Sequence, residues 1–246
     1  MGDLWRAVGL LTILPVRLPE EGQAPPGRAM AFYPLVGAAI GGVLAGLAWL
    51  FGQAGWTETA PLLPAALLLA VWTVLTGALH LDGWADCCDA LFVPASRERR
   101  LEIMKDPRLG SFGAVGLGLL LLVKLAALQG SMARPYAPLA FVAIPAVARW
   151  ALVVAAATYP SARPGGMGDH FRRGLGRRET VAATIITLAA TSPGLWRGAL
   201  LWAAAGLALL ALADLARSRL GGLTGDVYGA IVELAETLAL VLACFL

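Results

Sequence analysis

The sequence predicts an all-α, polytopic transmembrane helical bundle of about seven spans (about six to eight) with a cytoplasmic N-terminus. Three observations predict it. The 246 residues are 59% hydrophobic and only 14% charged, with a mean hydropathy of +0.73. Soluble domains carry about 45–50% apolar and about 25% charged residues, and a chain this short has too much surface to hide the excess in a core. Apolar runs near spanning length recur along the chain, and Lys and Arg are concentrated in alternate loops. All 246 residues read as one integral membrane domain.

The elements follow in order. The N-terminal stretch has a short apolar run, Leu10 to Val16, interrupted by Pro15. It is too short to span and has no small-residue cleavage site, so it reads as a cytoplasmic or interfacial segment rather than a signal peptide. Candidate spans are Phe32–Phe51, Pro61–Leu79, Phe112–Gln129, Pro138–Thr158, Thr180–Thr191, Arg197–Ala213 and Tyr228–Leu246. The fifth is the weakest, being short and ending near Pro193. The first, third, fifth and seventh inter-span segments, counted from the N-terminus, hold fifteen Lys and Arg; the alternate ones hold only Arg134 and Arg197. The positive-inside rule puts the rich loops in the cytoplasm and the C-terminus outside.

The net charge of +3 and the scatter of basic residues through loops argue against nucleic acid. Cys87, Cys88 and Cys244 make no disulfide framework, and no His stands at zinc-ligand spacing.

The acids concentrate on the cytoplasmic side; only Glu58 falls in an outer loop. The densest group is HLDGWADCCD, from His80 to Asp89, at the inner end of the second span. In a helix, Asp82, Asp86 and Asp89 stand on one face; Asp82-Gly83 could equally open a turn. Carboxylates that close repel one another and call for a hard cation such as Mg²⁺, which joins a few carboxylates to substrate phosphates. A solvated acidic helix end is the plainer alternative. A second set, Asp226, Glu233 and Glu236, lies on one face of the seventh span, where carboxylates are costly and often functional. It starts at the cytoplasmic end, so the two sets can converge. Polar helix packing, or pairing with a buried Arg, is the alternative there.

Basic groups complete the candidate site. Arg97 to Lys105 reads as an amphipathic surface helix, and Lys105 and Arg108 flank a Gly/Ser-rich helix start that suits an anion. Arg149, roughly 12 Å inside the fourth span, either snorkels or reaches a substrate phosphate. Lys124 is expected to snorkel outward. His80, beside the acids, is either a packing residue or an acid/base group.

HLDGWADCCDALF, RLEIMKDPRLGSFGAVGL, Arg149-Trp150, Tyr159 with Ala162-Arg163, and GLTGDVYGAIVELAE together resemble the cobalamin synthase family, the adenosylcobinamide-GDP ribazoletransferases. LTILPV and FYPLVG near the N-terminus fit as well, so the resemblance covers nearly the whole chain. The family often has Glu where Gly165 stands, so no acidic role is carried over to that loop. The resemblance implies that adenosylcobinamide-GDP is joined to α-ribazole or its 5′-phosphate. The products are adenosylcobalamin or its 5′-phosphate and GMP, the last assembly step of the B12 nucleotide loop. It further implies Mg²⁺ and the cytoplasmic (inner) membrane. Such chemistry would use Asp82, Asp86, Asp89, Asp226 and Glu233 for metal, and Asp82, His80 or Asp226 for catalysis. Lys105, Arg108 and Arg149 would hold phosphates. Partners would be the two substrates and the bilayer; self-association or contact with other corrinoid-pathway enzymes is compatible with it.

Two other functions compete. A CDP-alcohol-type phosphotransferase also uses spaced Asp residues around an Asp-Gly pair, but its later motif elements are not found in order. A small-solute transporter would show span repeats and midplane polar sites; no repeat is visible, and the acids gather near one interface.

Overall fold

In a computed structural model, residues 2–17, 25–163 and 165–246 are described; the 18–24 part of the N-terminal segment lies outside them. The helices are α1 (Gly2–Leu11), α2 (Tyr33–Gln53), α3 (Trp56–Thr59), α4 (Leu62–Leu75), α5 (Leu79–Leu91), α6 (Arg97–Ile103), α7 (Ser111–Met132), α8 (Ala137–Thr158), α9 (Met167–Phe171), α10 (Arg177–Thr191), α11 (Trp196–Leu220) and α12 (Gly225–Ala243). Two 3₁₀ segments, Pro26–Phe32 and Ser192–Gly194, extend α2 and join α10 to α11. Among the described residues there is no strand, only one isolated bridge between Ser161 and Leu223.

The centre of the bundle is α8, buried along most of its length. It packs closely on α2 because Gly37 and Gly41, four apart, present bare backbone. A Cβ on Gly37 would stand 2.4 Å from the Pro145 carbonyl oxygen, and one on Gly41 only 2.1 Å from that of Phe141. Pro145 has no N–H to give Phe141 four residues back, so Gly41 covers a carbonyl that the helix itself leaves unbonded.

The outside is apolar where a soluble protein would be charged. Phe112, Val115, Leu119 and Leu122 lie along one exposed face of α7, while Leu120, Lys124, Ala127 and Ser131 are buried on the other. Among the described residues, four helices are long and apolar enough to cross a membrane: the 26–53 helix, α7, α8 and α11. The bent pair α4 and α5 would make a fifth.

The seven expected spans therefore need correction. The second breaks after Leu75, and α5 leaves at 90° to α4. Gly77 and Ala78 take φ values of 59° and 56° there, which no helix continues through. The fifth is the 15-residue α10, about 22 Å long and short of the ~30 Å hydrocarbon layer. The seventh, α12, carries three carboxylates, Asp226, Glu233 and Glu236, and for that reason is not among the helices apolar enough to cross.

The loops assigned to one side by their charge do meet. Arg97 Nε donates to the Leu220 carbonyl at 2.7 Å and its Nη2 to that of Ala162 at 3.3 Å. Gly27 N–H donates to the Arg173 carbonyl at 2.8 Å. Segments from the N-terminal region and from the basic loops after α5, α8 and α11 thus share one end of the bundle.

Candidate active site

The site forms where α5 meets α12. Both helices have glycine at the crossing. A Cβ on Gly83 would stand 2.6 Å from the Asp226 carbonyl oxygen, and one on Gly229 3.2 Å from the His80 Cα. The sequence HLDG thus runs as helix, not as a turn, and sets Asp82 beside Asp226. Gly83→Ala must push α5 off α12. It is expected to lower turnover by at least about tenfold, since a shift near 1 Å at a reacting centre costs that much or more. A steady-state assay at unchanged protein level checks it.

Asp226 is held by its own helix start. Thr224 caps α12, its Oγ1 accepting from Val227 N–H at 3.4 Å and donating to Asp226 Oδ2 at 3.1 Å. The first turn of a helix favours such an acid. A cavity of about 320 Å³ opens there, lined by His80, Asp82 and Asp226 together with Tyr33, Phe171 and Tyr228. Its remaining wall includes Leu10, Leu11, Met30 and Leu152. Another cavity, at the far ends of α4 and α7, is lined by Thr57, Gln129 and apolar or glycine residues and has no ionisable group to work with.

The expected carboxylates separate into three groups. Asp82 is exposed in the cavity, and Asp86 is half-buried on the next turn of α5. The charges of Asp226, Asp82 and Asp89 all act on Asp86, so of the second acidic set Asp226 alone meets the first. Asp89 is engaged elsewhere. Its two oxygens accept from Gly110 and Gly113 N–H, each at 2.8 Å, which caps the start of α7. The anion suited to that Gly/Ser-rich start is this protein's own Asp89.

Glu233 lies outside the cavity. Its Oε2 accepts from Lys124 Nζ at 2.5 Å, and Lys124 also reaches Glu236 at 2.7 Å. Glu236 in turn pairs with Arg149. All four groups are nearly or fully buried. Lys124 therefore turns inward rather than snorkelling, because two carboxylates wait inside. Arg149, fully buried, pairs with Glu236 and does not line the cavity.

His80 touches this network through Arg149 Nη2, 3.5 Å from its Nδ1. A guanidinium only donates, so a hydrogen bond across this gap would have Nδ1 accept and leave the ring proton on Nε2. That favours His80 as a donor at the cavity wall over a proton acceptor.

Lys105 and Arg108 are both exposed and neither lines the cavity. Arg108 is tied to Asp106 by Nε at 2.9 Å and Nη2 at 2.7 Å. The hydrogen bonds from Arg108 hold the Asp106 carboxyl down at about 2.

The donor set suits Mg²⁺. Among the described residues, no three His, Cys, Asp or Glu side chains stand together so as to hold a metal ion, so Asp82, Asp86, Asp89, Asp226 and Glu233 do not form one ligand set. Mg²⁺ needs only one or two carboxylates when waters and substrate phosphates fill the rest. Asp82 and Asp86 are the carboxylates that would supply those, and the neighbouring acid charges there would favour a cation.

A family model described as cobalamin-5-phosphate synthase matches residues 3–244. The chain belongs to the cobalamin-5-phosphate synthase family. It is accordingly a transferase of cobalamin synthesis. It is 39% identical to a Roseiflexus sp. (strain RS-1) protein named adenosylcobinamide-GDP ribazoletransferase, over 95% of this chain and 86% of that one. Proteins of the same name from Pseudomonas fluorescens (strain Pf0-1) and Deinococcus radiodurans are each 41% identical, over 98% and 95% of this chain and 98% and 82% of theirs. No solved structure matches the chain.

Within this member of the family the cavity adds residues that sequence reading did not single out: Tyr33 and Phe171 in its wall, and Tyr228 two positions after Asp226. Tyr33 and Tyr228 stand inside the motifs FYPLVG and GDVYG, but an aromatic in an apolar helix gives no sign of facing a cavity rather than lipid.

Proposed function

We propose that this chain joins adenosylcobinamide-GDP to α-ribazole or its 5′-phosphate, releasing GMP, as a Mg²⁺-dependent enzyme of the cytoplasmic membrane. The observation that carries the reading is the cavity shared by Asp82 and Asp226 in a chain of this family. Release of GMP fixes which bond breaks. A ribazole hydroxyl attacks the phosphorus nearer the cobinamide, a new P–O bond forms, and the bridging oxygen departs with its electron pair on GMP. Asp226, half-buried and held by Thr224, would accept the hydroxyl proton. His80, with Nε2–H, donates toward the substrate. Asp82 and Asp86 would hold Mg²⁺, which when bound neutralises charge on the pyrophosphate.

The shared end of the basic loops supports a cytoplasmic site, where nucleotide substrates are found. Membership of a transferase family leaves the transporter reading without support, and the full-length match favours the corrinoid substrate over a CDP-alcohol. The test is GMP release by the detergent-purified chain from adenosylcobinamide-GDP and α-ribazole 5′-phosphate, with Mg²⁺ and with EDTA. GMP that appears only with Mg²⁺ and both substrates is expected. No GMP under any of these conditions, or the same rate in EDTA, would refute it.

A further inference from the structure

Lys105 is exposed away from the cavity, and Arg108 and Arg149 are tied to Asp106 and Glu236, so the phosphates need other donors. Four buried donors have no hydrogen-bond partner among the described residues: Arg149 Nε, on the side chain paired with Glu236, Arg197 Nε at the start of α11, and, where the loop after α8 meets the start of α12, Arg163 Nε and the Tyr228 hydroxyl. Tyr228 is 5% exposed and belongs to the cavity lining, whereas Arg163 lies outside that lining and reaches the start of α12 through its loop. Arg163 is anchored on its far side, where Nη2 donates to the Leu101 carbonyl. Its backbone is held by the bridge between Ser161 and Leu223, with Ala162 N–H donating to the Leu223 carbonyl at 2.9 Å. That bridge brings the loop after α8 to the start of α12. The charge of Arg163 acts on Asp226, and the charge of Arg172 acts on Tyr228.

Buried donors without partners are costly, and native structures rarely keep them without a reason. Both groups offer hydrogens, and cationic charge comes with them. The complement is a group rich in acceptor oxygens and negatively charged, which is a phosphate. We propose that Arg163 and Tyr228 form the phosphate seat beside Asp226. The inference rests on the transferase reading and deepens it. The phosphate comes from the pyrophosphate of the GDP-linked substrate or from the 5′-phosphate of α-ribazole phosphate.

Calorimetry on the detergent-purified full chain with Mg²⁺ tests it, using GDP, α-ribazole 5′-phosphate and α-ribazole as probes. Tyr228→Phe removes one hydroxyl and keeps the ring; Arg163→Lys keeps the charge and loses Nε. Each variant is expected to weaken one of the two phosphorylated probes by about tenfold, the loss of roughly one hydrogen bond, with α-ribazole unchanged. Weakened GDP assigns the seat to the pyrophosphate; weakened α-ribazole phosphate assigns it to the 5′-phosphate. The proposal is overturned if both phosphorylated probes stay within about twofold of wild type, the scatter of neutral substitutions. It is equally overturned if α-ribazole weakens as much as its phosphate. Binding needs no turnover, so a wild-type chain that binds these probes but releases no GMP counts against the functional reading alone.

Discussion

Lys124→Met is expected to destabilise the protein by about 3–5 kcal/mol, the scale for breaking a buried ion pair from one side. Lys124 and Arg149 balance Glu233 and Glu236 in the middle of α7, α8 and α12. Without Lys124, Glu233 keeps no direct ion-pair partner, and Arg149 alone faces the two carboxylates. The Lys124 ammonium also lies 4.7 Å from the centre of the Trp72 ring, so the loss extends to α4. The double variant Lys124→Met with Glu233→Gln removes one charge of each sign, and most of the stability is expected to return. Thermal unfolding in detergent measures both. A single variant as stable as wild type would show that these charges do not meet.

Asp82→Asn and Asp226→Asn are each expected to lower turnover by about a hundredfold or more while leaving membrane insertion intact. Asn keeps the size of Asp and loses its charge. Asp82 is exposed in the cavity, so its loss should cost little stability. Lys105→Gln is expected to leave turnover near wild type, because Lys105 lies outside the cavity lining. Undiminished Mg²⁺-dependent turnover in Asp82→Asn would remove the assigned centre.

Composition and loop charge made the bundle legible, since apolar excess and basic loops are properties of the chain read along its length. The acidic face of α5 was legible for the same reason: Asp82, Asp86 and Asp89 are local neighbours in a helix. Partner choice across helices was not. Lys124 and Glu233 are 109 residues apart, and no local pattern shows that a buried lysine turns toward a carboxylate instead of snorkelling. Asp89 illustrates the same limit. Its spacing groups it with the metal ligands, yet the backbone amides of Gly110 and Gly113, supplied by the next span, take it. The break between α4 and α5 was hidden because an apolar run continues up to it, and the two residues that break the helix are an ordinary Gly77 and Ala78.

The central claim is that Asp82 and Asp226, 144 positions apart in the chain, work in one centre. A double-mutant cycle on GMP release tests it most directly. If they share a centre, Asp82→Asn with Asp226→Asn should be scarcely slower than the worse single variant, because groups acting as a unit are far from additive. Losses that multiply in the double variant, as they do for distant independent sites, would contradict it.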